Sequence, residues 1–398
     1  MKGGWRMSIV IDDAKEVFIP VYNRYPIVLE RGEGVYLYDE DGKKYLDFAA
    51  GIAVFALGYS NEVYKNAVKA QVDTLIHTSN FFYNKPSVEA AKKLVKASGM
   101  EKVFFTNSGT EAIEGAVKLA RKYYYNKTGQ PDGEIIAMNH SFHGRSMGAL
   151  AVTGQPKYQK AFGPMLANIK FADFNDLDSV KAQITDKTCC ILIETIQGEG
   201  GFYPGTDEFI KGVRALCDEY DLLMICDEIQ CGMGRTGDMF AYEGYGVCPD
   251  VMTSAKALGC GIPVGAFAAR GKAALTLEPG DHGTTYGYNP LATAAVDAVF
   301  DLYDKLDITT HVKEVGSYLE AQLNQLVEDN ECMVERRGKG LMQGVEFKES
   351  VGDIIVKAQK KGLLLVPAGA KILRFVPPLI IEKEHVDEMI KILKECLV

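Results

Sequence analysis

Leu222-Leu223-Met224-Ile225-Cys226-Asp227-Glu228-Ile229-Gln230 is the stretch whose reading decides the fold, taken with Val251-Met252-Thr253-Ser254-Ala255-Lys256 further on. Each is a short apolar run that ends abruptly in a charge, with Ala257-Leu258-Gly259-Cys260-Gly261 behind the second. Runs of this kind read as buried parallel strands that deliver side chains to a site. A buried carboxylate and a buried amine both need partners, because an isolated charge in an apolar interior is costly. Pyridoxal 5′-phosphate would partner both: its ring nitrogen stays protonated beside a carboxylate, and its aldehyde condenses with a lysine amine. Two unrelated strand-end charges are the alternative that this pair alone leaves open.

The same texture continues outward. Strand patterns fit residues 102–107, 134–138, 168–171, 189–194 and 265–269, besides 222–227 and 251–254. Helical patterns fit 110–123, with Ile113, Ala116, Val117 and Ala120 at core spacing, and 207–220. Residues 61–98 read as helical, with Val63, Ala67, Val68 and Val72 on one face and a turn near Asn84-Lys85-Pro86. This βαβα succession predicts an α/β protein with a mostly parallel sheet flanked by helices. After Pro290 a helix over 291–306 leads to an α+β portion with strands at 341–347, 363–366 and 372–375. Segments 36–39 and 44–48 around Asp41-Gly42 read as a hairpin. The expected organisation is a large cofactor-binding domain over 61–290. A smaller domain is then built from 1–60 and 291–398.

With 398 residues, 47% hydrophobic and 24% charged, the composition is that of a globular protein of two or three domains. A formal charge of −9 argues against nucleic acid as a partner. No apolar run approaches the ~18 residues of a membrane span. Residues 1–7 carry positive charge without an apolar stretch behind them, so no signal peptide and a cytoplasmic location are expected. Nine scattered cysteines without a Cys-x-x-Cys pair read as reduced thiols rather than a metal cluster or a disulfide framework.

Four further segments and one arginine carry chemistry, each with a plainer alternative. Asn107-Ser108-Gly109-Thr110, where a strand turns into a helix, offers amides and hydroxyls to a phosphate, or is an ordinary helix N-cap. Phe142-His143-Gly144-Arg145 places an aromatic to stack on a planar cofactor and an arginine to grip a carboxylate, or a core Phe beside a surface Arg. Glu194 and Gln197-Gly198-Glu199-Gly200-Gly201 suggest backbone close to a ligand, or a surface loop. Gly283-Thr284-Thr285-Tyr286-Gly287 is a phosphate or substrate loop, or a turn. Arg374, shortly before Pro377-Pro378, is a buried carboxylate-binding residue or a surface one.

Together these segments resemble the class III aminotransferases of the type I pyridoxal-phosphate fold, over nearly the whole chain from Tyr22 to Val398. The most specific stretches are 33–54, His77-Thr78-Ser79-Asn80, 107–112, 142–155, 197–201, 227–238, 254–261, 282–291 and 373–379. The resemblance implies pyridoxal 5′-phosphate as cofactor, no metal, and a homodimer with shared active sites. It implies transfer of the terminal amine of N-acetylornithine to 2-oxoglutarate, giving N-acetylglutamate 5-semialdehyde and glutamate. Ornithine, N-succinylornithine and 4-aminobutyrate are the alternative donors.

Carried over by position, Lys256 would condense with the cofactor aldehyde and move the proton. Asp227 would partner the ring nitrogen, with Glu228 beside it in the cofactor group. Phe142 and Ile229 would hold the two ring faces, and Gln230 would face the ring oxygen. Ser108, Gly109 and Thr110 would bind the phosphate, joined by Thr285 of a second subunit. Arg145, with Thr284 as its neighbour, would take the far carboxylate of the donor, and Arg374 the α-carboxylate of glutamate. Glu199 would swing onto Arg145 or away from it. The chain departs from the family pattern at Tyr288, Cys260, Thr195, Ile113, Phe55 and Tyr59, none of which removes a chemical group from the mechanism. The rival from another class is a nucleotide-binding module using the turn at Asn107. Neither Gly-x-Gly-x-x-Gly after the first strand nor Gly-x-x-x-x-Gly-Lys-Ser/Thr is present to support it.

Overall fold

The computed structural model describes residues 8–397, and the expectation for residues 1–7 lies outside them. Seven strands form the central sheet: β1 Lys102–Thr106, β2 Glu134–Met138, β3 Ile169–Ala172, β4 Thr188–Glu194, β5 Leu223–Asp227, β6 Val251–Ser254 and β7 Gly265–Ala269. Their order is β1-β7-β6-β5-β4-β2-β3. Only β7 runs antiparallel to its neighbours; the remaining pairs are parallel.

Strand geometry sends alternate side chains to opposite faces. Ile225, Leu192, Ile135 and Val251 meet one face, where the helix Gly109–Thr128 lays Ile113, Ala116, Val117 and Ala120. Met224, Cys226, Ile191 and Ile193 meet the other, in one core with Phe209, Ile210 and Val213 of the helix Asp207–Glu219. Both faces are therefore covered, which is why these runs are continuously apolar rather than alternating. The carboxyl ends of the six parallel strands lie along one edge, and a crevice at such an edge is where open α/β sheets bind ligands. β7 starts at the same edge, and a Cβ on Gly265 would lie 2.3 Å from the carbonyl oxygen of Ser108. Only glycine lets β7 start so close to the turn after β1.

Two four-stranded sheets and a two-stranded ribbon, Ile196–Gln197 with Tyr203–Pro204, complete the fold. Leu29–Glu33, Tyr36–Asp39 and Lys44–Asp47 form an antiparallel set, extended by Leu363–Leu364 from the far end of the chain. Met333–Lys339, Met342–Phe347, Ile372–Phe375 and Val366–Ala368 form the other. The 363–366 run thus divides between two sheets, with Leu365 buried between its halves. The strand Met333–Lys339 carries four charged residues in seven positions and gave no apolar signal.

Residues 61–98 differ from expectation. They form two helices, Glu62–Thr74 and Lys85–Ser98, separated by a ten-residue irregular segment rather than a tight turn. Tyr64 is the one buried residue of the first, while Val63 and Val72 on the expected core face are exposed. Phe81, Phe82 and Tyr83 in the connecting segment are also exposed, at 95%, 70% and 101%. Among the described residues no helix is long and apolar enough to cross a membrane.

Candidate active site

A cavity of about 430 Å³ opens at the carboxyl edge of the sheet. Its walls are the Asn107–Thr110 turn after β1, the Phe142–Arg145 loop after β2, Glu194 at the end of β4, Asp227 at the end of β5, and Lys256 beyond β6. Ile229, Gln230 and the segment leading into β7 close it.

Lys256 sits in a short 3₁₀ turn, Lys256–Leu258, with a left-handed backbone (φ 49°). Burial pushes its amine down to about 8, with Glu199 opposing that shift and Arg374 adding to it. An amine held there is partly neutral near neutral pH and is a competent nucleophile and proton acceptor.

Asp227 is buried and held on both oxygens. His143 Nδ1 lies 2.7 Å from its Oδ2, while the amide of Ile229 (3.0 Å) and the hydroxyl of Thr253 (3.2 Å) donate to its Oδ1. His143 is itself buried, and its Nε2 has no partner. Glu194 is pushed up to about 7 by burial, against the pull of His143. It accepts from the amides of Phe142 (3.0 Å) and Gly198 (3.2 Å), so it ties two loops of the cavity together.

At the turn after β1, Ser108 caps the twenty-residue helix Gly109–Thr128 through the amide of Glu111. Thr110 Oγ1 lies 2.7 Å from Ser146 Oγ and accepts from the Ser146 amide. The start of a long helix, with its unpaired amides and positive dipole end, therefore opens on the cavity and favours an anion. Gln230 Oε1 is buried in the wall without a donor. An anion cradle, a fixed carboxylate, a buried amine and an unpaired acceptor around one space fit a planar ring carrying a phosphate, a basic ring nitrogen and an aldehyde.

Glu228 and Thr284 are placed otherwise than expected, and the remaining residues stand as follows. Glu228 is not in the cavity: its oxygens accept from the amides of Ala241 (2.7 Å) and Tyr242 (3.2 Å), and burial raises it to about 8. Strand geometry forces this, since Asp227 and Glu228 are consecutive and point to opposite sides. Glu199 is turned away from Arg145 and pairs with Arg374. Arg145 is exposed at the mouth, its guanidinium 3.8 Å from the ring centre of Tyr158 and 5.5 Å from that of Phe142. Thr284 accepts from Asn107 and from Gly287 of the same chain rather than standing beside Arg145, and Thr285 is exposed, away from its own cavity. Neither Arg374 nor Glu199 lines the cavity, although the charges of both act on Lys256; Arg374 is buried, and its Nε donates to the carbonyl oxygen of Pro367.

The sequence assigns no role to His143 or Thr253, and to Glu194 only a place beside a loop close to a ligand. His143 had a signal, a histidine between an aromatic and an arginine at a strand end, while Thr253 had none. Tyr288 turns into the fold: its hydroxyl donates to Val103 O (3.0 Å) and its ring meets Phe104 and Phe105 edge-on. Phe55 stacks on Tyr59 at 4.6 Å.

A mostly parallel sheet that brings a half-buried lysine and a histidine-held aspartate to its carboxyl edge defines an enzyme working through an amine and a charged ring. The chain belongs to the class III aminotransferases: the family described as Aminotransferase class-III matches residues 19–397. The acetylornithine aminotransferase of Methanocaldococcus jannaschii is 48% identical over 385 residues, covering 97% of each chain. Among solved structures, the N-acetylornithine aminotransferase of Stenotrophomonas maltophilia superposes with a TM-score of 0.82 at 37% identity, covering 94% of this chain and 96% of that one. The Toxoplasma gondii ornithine aminotransferase, with partial occupancy of PLP at its active site, superposes with a TM-score of 0.93 at 28% identity, covering 98% and 94%.

Proposed function

We propose that this chain moves the terminal amine of N-acetylornithine to 2-oxoglutarate, using pyridoxal 5′-phosphate. The observation that carries the reading is a pair of arginines in different states, Arg145 open at the cavity mouth and Arg374 buried and masked by Glu199. N-acetylornithine carries one carboxylate, far from the reacting amine, whereas glutamate carries a second beside it. A donor of the first kind needs only Arg145, and Glu199 meanwhile neutralises Arg374. The 48% identity to an acetylornithine aminotransferase supports the same donor.

When bound, pyridoxal phosphate supplies an aldehyde for the amine and a ring that stores the electrons of a broken C–H bond. Ser108, Gly109 and Thr110 would hold its phosphate at the helix start, with Phe142 and Ile229 against the ring faces and Gln230 beside the ring oxygen. Asp227, oriented by His143 and Thr253, keeps the ring nitrogen protonated. Lys256 accepts the proton at its amine and returns it to the adjacent position. Arg145 fixes the far carboxylate by a forked contact. Acetylation matters because a free α-ammonium, as in ornithine, would meet Arg145 charge against charge.

The expected order of kcat/KM is therefore N-acetylornithine, then ornithine, then 4-aminobutyrate. Arg145→Ala should weaken the N-acetylornithine half reaction and Arg374→Ala the glutamate one, each by about tenfold or more, since a charged hydrogen bond is worth ~1.5–3 kcal/mol. Single-turnover absorbance with each donor measures this. If ornithine or 4-aminobutyrate is the best donor, the acetylornithine assignment falls.

A homodimer with shared sites is part of the same reading. Phe81, Phe82 and Tyr83 form an exposed apolar stretch beside the loop of Thr285, and such surfaces commonly mark an interface. Thr285 would then join the phosphate site of the partner. Mixing inactive Lys256→Ala with Thr285→Ala chains should regenerate one intact site per heterodimer. Failure to recover activity, once subunit exchange is seen by mass, places the site within one chain. We also read 61–290 as the cofactor-binding domain, and the protein as cytoplasmic, in keeping with nine free cysteines.

A further inference from the structure

Arg337, Gly344 and Arg374 form a row across three adjacent antiparallel strands: Arg337 pairs with Gly344, and Gly344 with Arg374. Directly paired residues project from the same face of a sheet. Two buried arginines therefore flank a position without a side chain. Phe202 fills that gap, its atoms 3.1–3.2 Å from where a Cβ on Gly344 would stand. The loop 198–202 thus runs between two guanidiniums. Arg374 holds its carboxylate, Glu199.

Arg337 holds its backbone. Its Nε donates to the carbonyl oxygen of Gly201 at 3.0 Å, and its guanidinium lies 3.9 Å from the ring centre of Tyr203. Its Nη1 is taken by Glu346 at 2.7 Å and by Glu335. Its Nη2, on the same edge of the guanidinium as Nε and so facing the loop, is buried without a hydrogen-bond partner. A buried donor left unpaired is costly. The loop it faces carries a carboxylate two residues from Gly201, with Gly198, Gly200 and Gly201 around it.

We propose that Arg337 is the second receptor for Glu199. When a substrate carboxylate takes Arg374, Glu199 turns within its glycine loop onto the free Nη2 of Arg337. No bond is made or broken; one charged pair replaces another, and the displaced carboxylate, half-buried in its loop, keeps a charged partner. Arg337 is a positioning residue, acting on substrate only through Glu199. The inference rests on the reading that Arg374 receives the α-carboxylate of glutamate.

Stopped-flow half reactions of the loaded enzyme test it. Arg337→Gln should weaken apparent binding of glutamate and 2-oxoglutarate by about tenfold, the scale of one charged hydrogen bond, and leave N-acetylornithine within about twofold. Arg337→Lys should recover part of the loss. Adding Glu199→Gln to Arg337→Gln should abolish the defect, since no carboxylate then competes for Arg374. Equal losses in both half reactions, or additive effects in the double variant, overturn the proposal. If Arg337→Gln does not fold, Glu346→Gln serves: it frees the guanidinium and should tighten glutamate binding, and no change there is equally fatal. Glu199→Gln alone should shift the two half reactions unequally. If it shifts neither, the reading of Arg374 falls as well.

Discussion

Lys256→Ala is expected to lose turnover by about 10⁴-fold, because the variant lacks both the amine that captures the aldehyde and the base that carries the proton. The fold should survive, since Lys256 stands in a short turn beyond β6 and its side chain lines a cavity rather than the core. Pyridoxal phosphate should still be taken up without covalent attachment, held by the helix start and by Asp227. Borohydride reduction of the wild-type protein, followed by peptide mapping, gives the direct test. Reduced cofactor on any other lysine removes Lys256 from its role. The lowered affinity of the amine for protons adds a sign. Below pH about 8 the amine is mostly protonated and cannot attack, so covalent uptake of cofactor by the apo-protein should quicken as pH rises through that value. A flat rate between pH 6 and 9 would contradict it.

Asp227→Asn should cut turnover by about 10²-fold or more while leaving the protein folded and able to take up cofactor. A neutral amide cannot hold a pyridine nitrogen protonated, so the ring stores electrons less well. The hydrogen bonds around the position favour a carboxylate, since the amide of Ile229, the hydroxyl of Thr253 and His143 all converge on its two oxygens. Near-normal turnover in a cofactor-replete variant would sink the assignment.

Much of the site was legible because its signals are local. Asp227 ends an apolar strand, and Arg145 and Phe142 share one strand-end loop, so each can be read from a handful of neighbours. Alternation of side chains along a strand is local too. It sends Glu228, next to a residue that faces the cavity, to the opposite side. Residues 61–74 show the limit of periodicity. A helix pattern marks an apolar face but does not tell whether that face meets this chain's core or stays outside, as Val63 and Val72 do.

By itself the sequence determined the alternation of strands and helices, the apolar interior, and the chemical groups that one edge of the sheet carries. Those follow from runs and spacings within a few residues. Tertiary structure alone decided which distant groups meet. His143 finds Asp227 across 84 positions, and Glu199 finds Arg374 across 175. Such pairs depend on strand order and on the register that sets Arg337, Gly344 and Arg374 in one row. Register is settled by the packing of whole faces against one another, a property of the assembled sheets that no single segment contains.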